Sequence, residues 1–171
     1  MSDLSTPARI ARGAVAGVIA GAVASFAMDR FQAAASSLLS SQGGENEPAT
    51  EKAADAVATA VTGQEVPDAA KPLAGQSVHY ALGIGLGIAY GIAAEFRPSV
   101  TAGFGAAFGL STATLLDEAA VPAVGLGEAP WKAPISTTLY SYASHLLFGG
   151  TTEIVRRQVA GTLTPSSETS S

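Results

Sequence analysis

The sequence contains no cysteine, which excludes a disulfide framework, a thiol nucleophile and a thiolate metal site. Charge is also scarce. Asp, Glu, Lys and Arg together make up 13% of the 171 residues, against roughly 25% in a soluble domain. The formal net charge of −5 leaves no basic patch for nucleic acid, and no nucleic-acid motif occurs. No Ser-His-Asp pattern, phosphate loop or dinucleotide fingerprint is present. Gly83-x-Gly85-x-Gly87 lies inside an apolar run with no strand before it, so it is not a nucleotide motif. These absences lead to the expectation of a non-enzymatic protein without a cofactor.

The charges that do occur cluster and leave long stretches nearly free of them. A membrane-spanning helix needs roughly 20 mostly apolar residues to cross about 30 Å of hydrocarbon. Four stretches meet this requirement, at about 10–28, 78–96, 99–116 and 135–155. The fold class expected is therefore all-α, a single polytopic membrane domain of four transmembrane helices set in a lipid bilayer. Residues 40–76 form an acidic loop. Within it Thr50 fits a helix N-cap and Gly63 a C-terminal cap for a short Ala/Val helix. Residues 162–171 are Ser/Thr-rich and read as a disordered tail. Arg9 and Arg12 followed by an apolar run and Ala22-Val23-Ala24 also fit a cleavable signal peptide, and that alternative stays open.

Four spans place both termini on one side. With that side cytoplasmic, Arg9, Arg12, Arg97, Arg156 and Arg157 fall inside, and the acidic loop falls outside.

Small residues recur four apart along each span. The first span has Gly13, Gly17, Gly21 and Ser25, then Asp29. The second has His79, Gly83, Gly87 and Gly91, then Glu95. The third has Gly105, Gly109 and Ala113, then Asp117, and the fourth has Ser141, His145, Gly149 and Glu153. In lipid, such flat ridges let helix backbones approach closely, within a chain or between chains. Gly13, Gly17, Gly21, Gly83, Gly87, Gly91, Gly105 and Gly109 are thus expected to pack helices, and a homo-oligomer is expected.

Ionisable groups at membrane depth are costly and are candidates for function. His79, Glu95, Asp117, Glu118, His145 and Glu153 form a candidate ion or proton site. The competing reading takes the carboxylates as headgroup-level or arginine-paired, and the histidines as interhelical hydrogen-bond residues. No ligand spacing fixes a metal.

Several short motifs occur in order: Val78-His79-Tyr80, Ala94-Glu95-Phe96 with Pro98, Gly105-Ala106-Ala107-Phe108-Gly109, Pro122-Ala123-Val124-Gly125-Leu126, Ala129-Pro130-Trp131 and Glu153-Ile154-Val155-Arg156-Arg157. With the glycine-rich first helix, the chain resembles the YagU family of small bacterial inner-membrane proteins from about Gly13 to Arg157. The resemblance implies a multi-pass protein of the bacterial cytoplasmic membrane and supplies no catalytic residues. Asp117-Glu118 is more acidic than the family pattern at that place. A structural or stress-related, self-associating membrane protein is the leading expectation, and a proton- or ion-linked transporter or channel subunit is the alternative.

Overall fold

A computed structural model describes residues 4–39 and 47–163 of the chain. The described residues form helices and turns, with no strand among them. Helix α1 spans Thr6–Leu39, α2 Ala49–Thr62 and α3 Lys71–Phe96. An irregular 3₁₀ segment, Pro98–Gly105, leads into α4, Ala106–Thr112. That helix continues as a π-helix over Ala113–Ala120 and ends in the single turn α5, Val121–Ala123. Helix α6 covers Ile135–Thr162. Three helical stretches are long and apolar enough to cross a membrane: Thr6–Ala35, Asp68–Phe96 and Pro98–Ala123.

Two antiparallel contacts are glycine seams. A Cβ added to Gly13 would lie 2.7 Å from the Gly91 carbonyl oxygen, one added to Gly17 would lie 2.3 Å from that of Gly87, and one added to Gly21 2.4 Å from that of Gly83. Stepping four residues forward on α1 steps four backward on α3, so the two stripes meet along their length. A second seam joins α4 to α6. There a Cβ on Gly105 would sit 2.1 Å from the Gly149 carbonyl, and one on Gly109 2.2 Å from that of His145. Helix α1 also packs along α6, whereas α3 and α4 have no comparable backbone contact. Tyr90, Phe108 and Phe148 fill the space between α3 and α4, with ring centroids 4.4 Å apart for the first pair and 6.0 Å for the second.

The distribution of side chains is the reverse of a soluble protein's. Ala16, Ala20, Ala24 and Ser25 of α1 are fully buried, while Val15, Val18, Ile19, Val23 and Phe26 are exposed. Small residues inside and large apolar residues outside is the arrangement a lipid solvent selects, because packing rather than hydrophobic burial holds the helices together. Helix α6 follows the same rule with polar residues inside. Ser144, His145, Thr152 and Glu153 are buried, and Leu139, Leu146, Leu147 and Ile154 face outward.

Several boundaries differ from those the sequence suggested. The second long helix begins at Lys71 rather than near Val78, because Pro72 is accommodated in the first turn and Gly75 is covered by α2. Helix α2 starts after Pro48, so Thr50 lies inside it. Gly63 does end it, with φ +76° and its N–H bonded to the Thr59 carbonyl. The third stretch starts at Pro98 but is interrupted at Ala102–Phe104. Phe104 has φ +59° there, a conformation that costs a bulky residue on the order of 1–3 kcal/mol. It then continues past Leu116 to Ala123. The first helix runs unbroken through Ala22–Ala24. The disordered tail assigned to 162–171 lies outside the described residues from 164 onward.

Gly17→Leu is expected to disrupt the first seam and cost about 3 kcal/mol or more, which for a chain of this size lowers Tm by about 6–12 °C. Gly85 has open space at its Cβ position, so Gly85→Leu should leave Tm within about 2 °C of wild type. Thermal melts by circular dichroism in one mild detergent compare the two directly.

A two-histidine cavity and the opposite charged end

The α1/α3 register dictates what stands beyond the last glycines. Four residues past Gly21 comes Ser25, and four before Gly83 comes His79. His79 Nε2 lies 3.5 Å from the Ser25 carbonyl oxygen and 3.2 Å from Asp29 Oδ1. Gln76 Nε2 donates to the other oxygen of Asp29 at 2.5 Å. The α4/α6 seam ends in the same way. His145 Nδ1 is 3.0 Å from the Ser141 carbonyl and 3.5 Å from Asp117 Oδ2, and the Ser141 hydroxyl donates to the same Asp117 oxygen.

Asp117 belongs to the π-helix, where backbone bonds reach back five residues, as the Val121 N–H does to the Leu116 carbonyl. A π-turn widens the helix and re-aims its side chains, and such turns recur at functional sites. The added turn width brings Asp117 to α6.

Both histidine–carboxylate pairs line one cavity of about 420 Å³. Its floor is apolar, made by Met28, Leu82, Leu86, Leu116 and Phe148, and its roof is the start of α2 from Pro48 to Glu51. The hydroxyls of Ser25 and Ser144 are buried and find no hydrogen-bond partner among the described residues. The Ser25 hydroxyl fills the space where a Cβ on Gly83 would be, 1.9 Å away, beside the cavity wall.

The roof is held by charge. Lys71 Nζ lies 3.0 Å from both Glu47 Oε1 and Asp55 Oδ2, and 3.7 Å from Asp68 Oδ1. Asp55 also accepts the Val66 N–H at 2.8 Å. The hydrogen bond from Lys71, then that from Val66, holds the Asp55 carboxyl below the usual carboxylate range. Val57 and Val61 of α2 are exposed.

The candidate residues at the opposite end form a separate cluster. Glu95 is paired with Arg12 through both carboxylate oxygens. Glu153 is fully buried and accepts from Arg156 Nε at 2.8 Å, from Arg156 Nη2 at 2.9 Å, from Arg157 Nε, and from the Tyr90 hydroxyl at 2.8 Å. Every lone pair direction of that carboxylate is used, which is the condition under which a buried ion can be tolerated. The cluster joins α1, α3 and α6 and leaves no open position for a ligand on Glu153.

The structure thus divides the six candidate ionisable residues into groups. His79, Asp117 and His145 share the cavity. Glu95 and Glu153 are arginine-bound at the far end. Glu118 is half-buried on the π-helix, outside the cavity lining, with no partner among the described residues. All eight packing glycines are buried within the one chain. Gln76, Asp29 and Tyr90 were not among the candidates the sequence suggested. The opposed four-residue steps of the first two stripes would have found Asp29 beside α3. Nothing in the sequence announces the π-turn. Among the described residues no three His, Asp or Glu side chains converge as a metal ion would require.

Asp55 ties the roof to α3, and its folded-state pKa is depressed. Its contribution is complete above the unfolded carboxylate value of about 3.9 and is lost as pH falls through its lower folded value. Pulsed EPR distances between labels on Thr59→Cys and Gly85→Cys should stay narrow from pH 7 to 5 and broaden below about pH 4. Asp55→Asn should broaden them already at pH 7.

The residues of this cavity extend beyond what comparison with known proteins covers. A family model described as a protein of unknown function (DUF1440) matches residues 50–154. That match includes His79, Glu95, Asp117, His145 and Glu153 and leaves out α1 with Asp29. No curated protein matches the chain, and no solved structure does. With more than half its length matched, the chain belongs to the DUF1440 family.

Proposed function

We propose that this is a YagU-like, four-span protein of the bacterial inner membrane, non-enzymatic, that takes up a proton or small cation in the two-histidine cavity as part of linked transport. The observation that carries the reading is the convergence of two independent histidine–carboxylate pairs, from α1, α3, the π-helix and α6, on one cavity. Imidazole changes charge near neutral pH, and an adjacent carboxylate offers a cation an acceptor-only partner.

The fourth span in this reading is α6. At 28 residues it measures about 42 Å, more than the hydrocarbon core. Its low apolar content reflects polar side chains directed inward, with leucines and Ile154 outward. The positive-inside rule puts the arginine end and both termini in the cytoplasm, and the cavity and α2 outside.

The cavity is one-sided. Toward the arginine end the seams leave no room even for a Cβ, and the Tyr90, Phe108 and Phe148 rings close the space between α3 and α4. Release to the cytoplasm therefore requires the gap between α3 and α4, which share no glycine seam, to open. Self-association, which belongs to this reading, uses the apolar outer faces, because the stripe glycines are occupied within the chain.

Proteoliposomes with an internal pH dye test the reading. Wild type should carry protons or a monovalent cation down an imposed gradient at least about tenfold faster than empty liposomes, a barrier difference of ~1.4 kcal/mol. His79→Ala with Asp117→Asn should return the rate to background while the circular dichroism stays native. Background rates for wild type under every pH, sodium and potassium gradient contradict it.

A further inference from the structure

The end of the bundle opposite the cavity carries more positive charge than its ion pairs absorb. Among the described residues, Arg9, Arg12, Arg97, Arg156 and Arg157 stand there with only Glu95 and Glu153. Arg12 answers Glu95, and Arg156 with Arg157 answers Glu153. Arg9 and Arg97 have no carboxylate partner among the described residues, and the Arg157 side chain is 48% exposed despite its ion pair.

Two of these arginines are held against exposed aromatic rings. The Arg9 guanidinium lies 4.4 Å from the Phe96 ring centroid, and that of Arg157 lies 4.3 Å from the Phe104 centroid. Phe96 and Phe104 are 41% and 52% exposed. Phe104 reaches its place through the left-handed backbone at φ +59°, an outlier of the kind that persists where the surrounding structure requires it. A guanidinium whose face is covered by a ring keeps its N–H edge for an anion, and that edge matches the paired oxygens of a phosphodiester. Aromatic rings favour the headgroup level of a bilayer. Ile10 and Ile154, both exposed, continue the surface from these arginines along α1 and α6 toward the apolar faces.

We infer that this end of the bundle, with Arg9, Arg97 and Arg157 framed by Phe96 and Phe104, is a docking surface for anionic phospholipid headgroups. The phosphodiester sits at the N–H edges of the arginines, the two rings lie at headgroup level, and the acyl chains run along the outer faces of α1 and α6. Charge complementarity selects an anionic lipid over a zwitterionic one, since a basic cluster next to a span gains from a negative leaflet. The surface is separate from the histidine cavity, so neither its presence nor its absence bears on transport.

The test uses the purified full chain in a mild nonionic detergent, titrated with phosphatidylglycerol or with phosphatidylcholine of the same chain length and followed by native mass spectrometry. Phosphatidylglycerol should bind about tenfold more tightly. Arg97→Gln should weaken it by about fivefold, equivalent to ~1 kcal/mol per arginine, and Arg9→Gln with Arg97→Gln by about 25-fold on the same basis. Neither residue holds an ion pair, so the fold is retained. Should the double variant misfold, the exposed Arg97→Gln alone decides. Inorganic phosphate at millimolar concentration should not displace the lipid. Equal binding of the two lipids, unchanged affinity in Arg97→Gln, or displacement by phosphate, which would mark a site for free anions, overturns the inference.

Discussion

The backbone-to-backbone approach of α1 and α3 is the constraint on which the rest depends. With glycine on both sides at three successive levels, no other register closes the seam, because a slip would drive a side chain into a carbonyl. That register places Ser25 and Asp29 against His79, and Arg12 against Glu95. The α4/α6 seam does the same for Asp117 and His145. The positions of the chemically interesting side chains follow from glycine spacing several turns away.

Two tight seams and a central α1/α6 contact leave α3 and α4 as the loosely joined pair. The space between them is divided into an aromatic layer toward the arginine end and the cavity toward α2. The two ends differ in electrostatic character. At one end carboxylates are fully answered by arginine, with cationic surplus. At the other, histidines and carboxylates meet at longer distances around open space. A fully bonded group such as Glu153 is a structural lock, since removing one partner of a buried pair costs about 3–5 kcal/mol. The cavity pairs retain the freedom to exchange partners.

Much of this was legible in the sequence, for definite reasons. Long uncharged runs gave the three helices long and apolar enough to cross a membrane, and four-residue glycine steps gave the packing ridges. The Glu153/Arg157 spacing gave one side of the far-end pairing. The sequence showed ridges without showing which ridges meet, so it listed six ionisable candidates together without separating the cavity group of His79, Asp117 and His145 from the arginine-bound Glu95 and Glu153. It could not show the π-turn, which depends on tertiary contact rather than composition. Nor could it show the break at Ala102–Phe104, where a phenylalanine adopts a conformation that its own preference opposes. Helix α6 is the instructive case. It is not among the three helices long and apolar enough to cross a membrane, and the proposal of a fourth span rests on its division into inward polar and outward apolar faces.

That inside-out division is the central claim, and topology tests it most directly. The natural chain has no cysteine, so single cysteines at Ser5, Thr59, Ser99, Lys132 and Leu163 can be labelled in intact cells with a membrane-impermeant maleimide. The account predicts protection at Ser5, Ser99 and Leu163 and labelling at Thr59 and Lys132. Labelling at Leu163 together with Lys132 would show that α6 does not cross, and would contradict it.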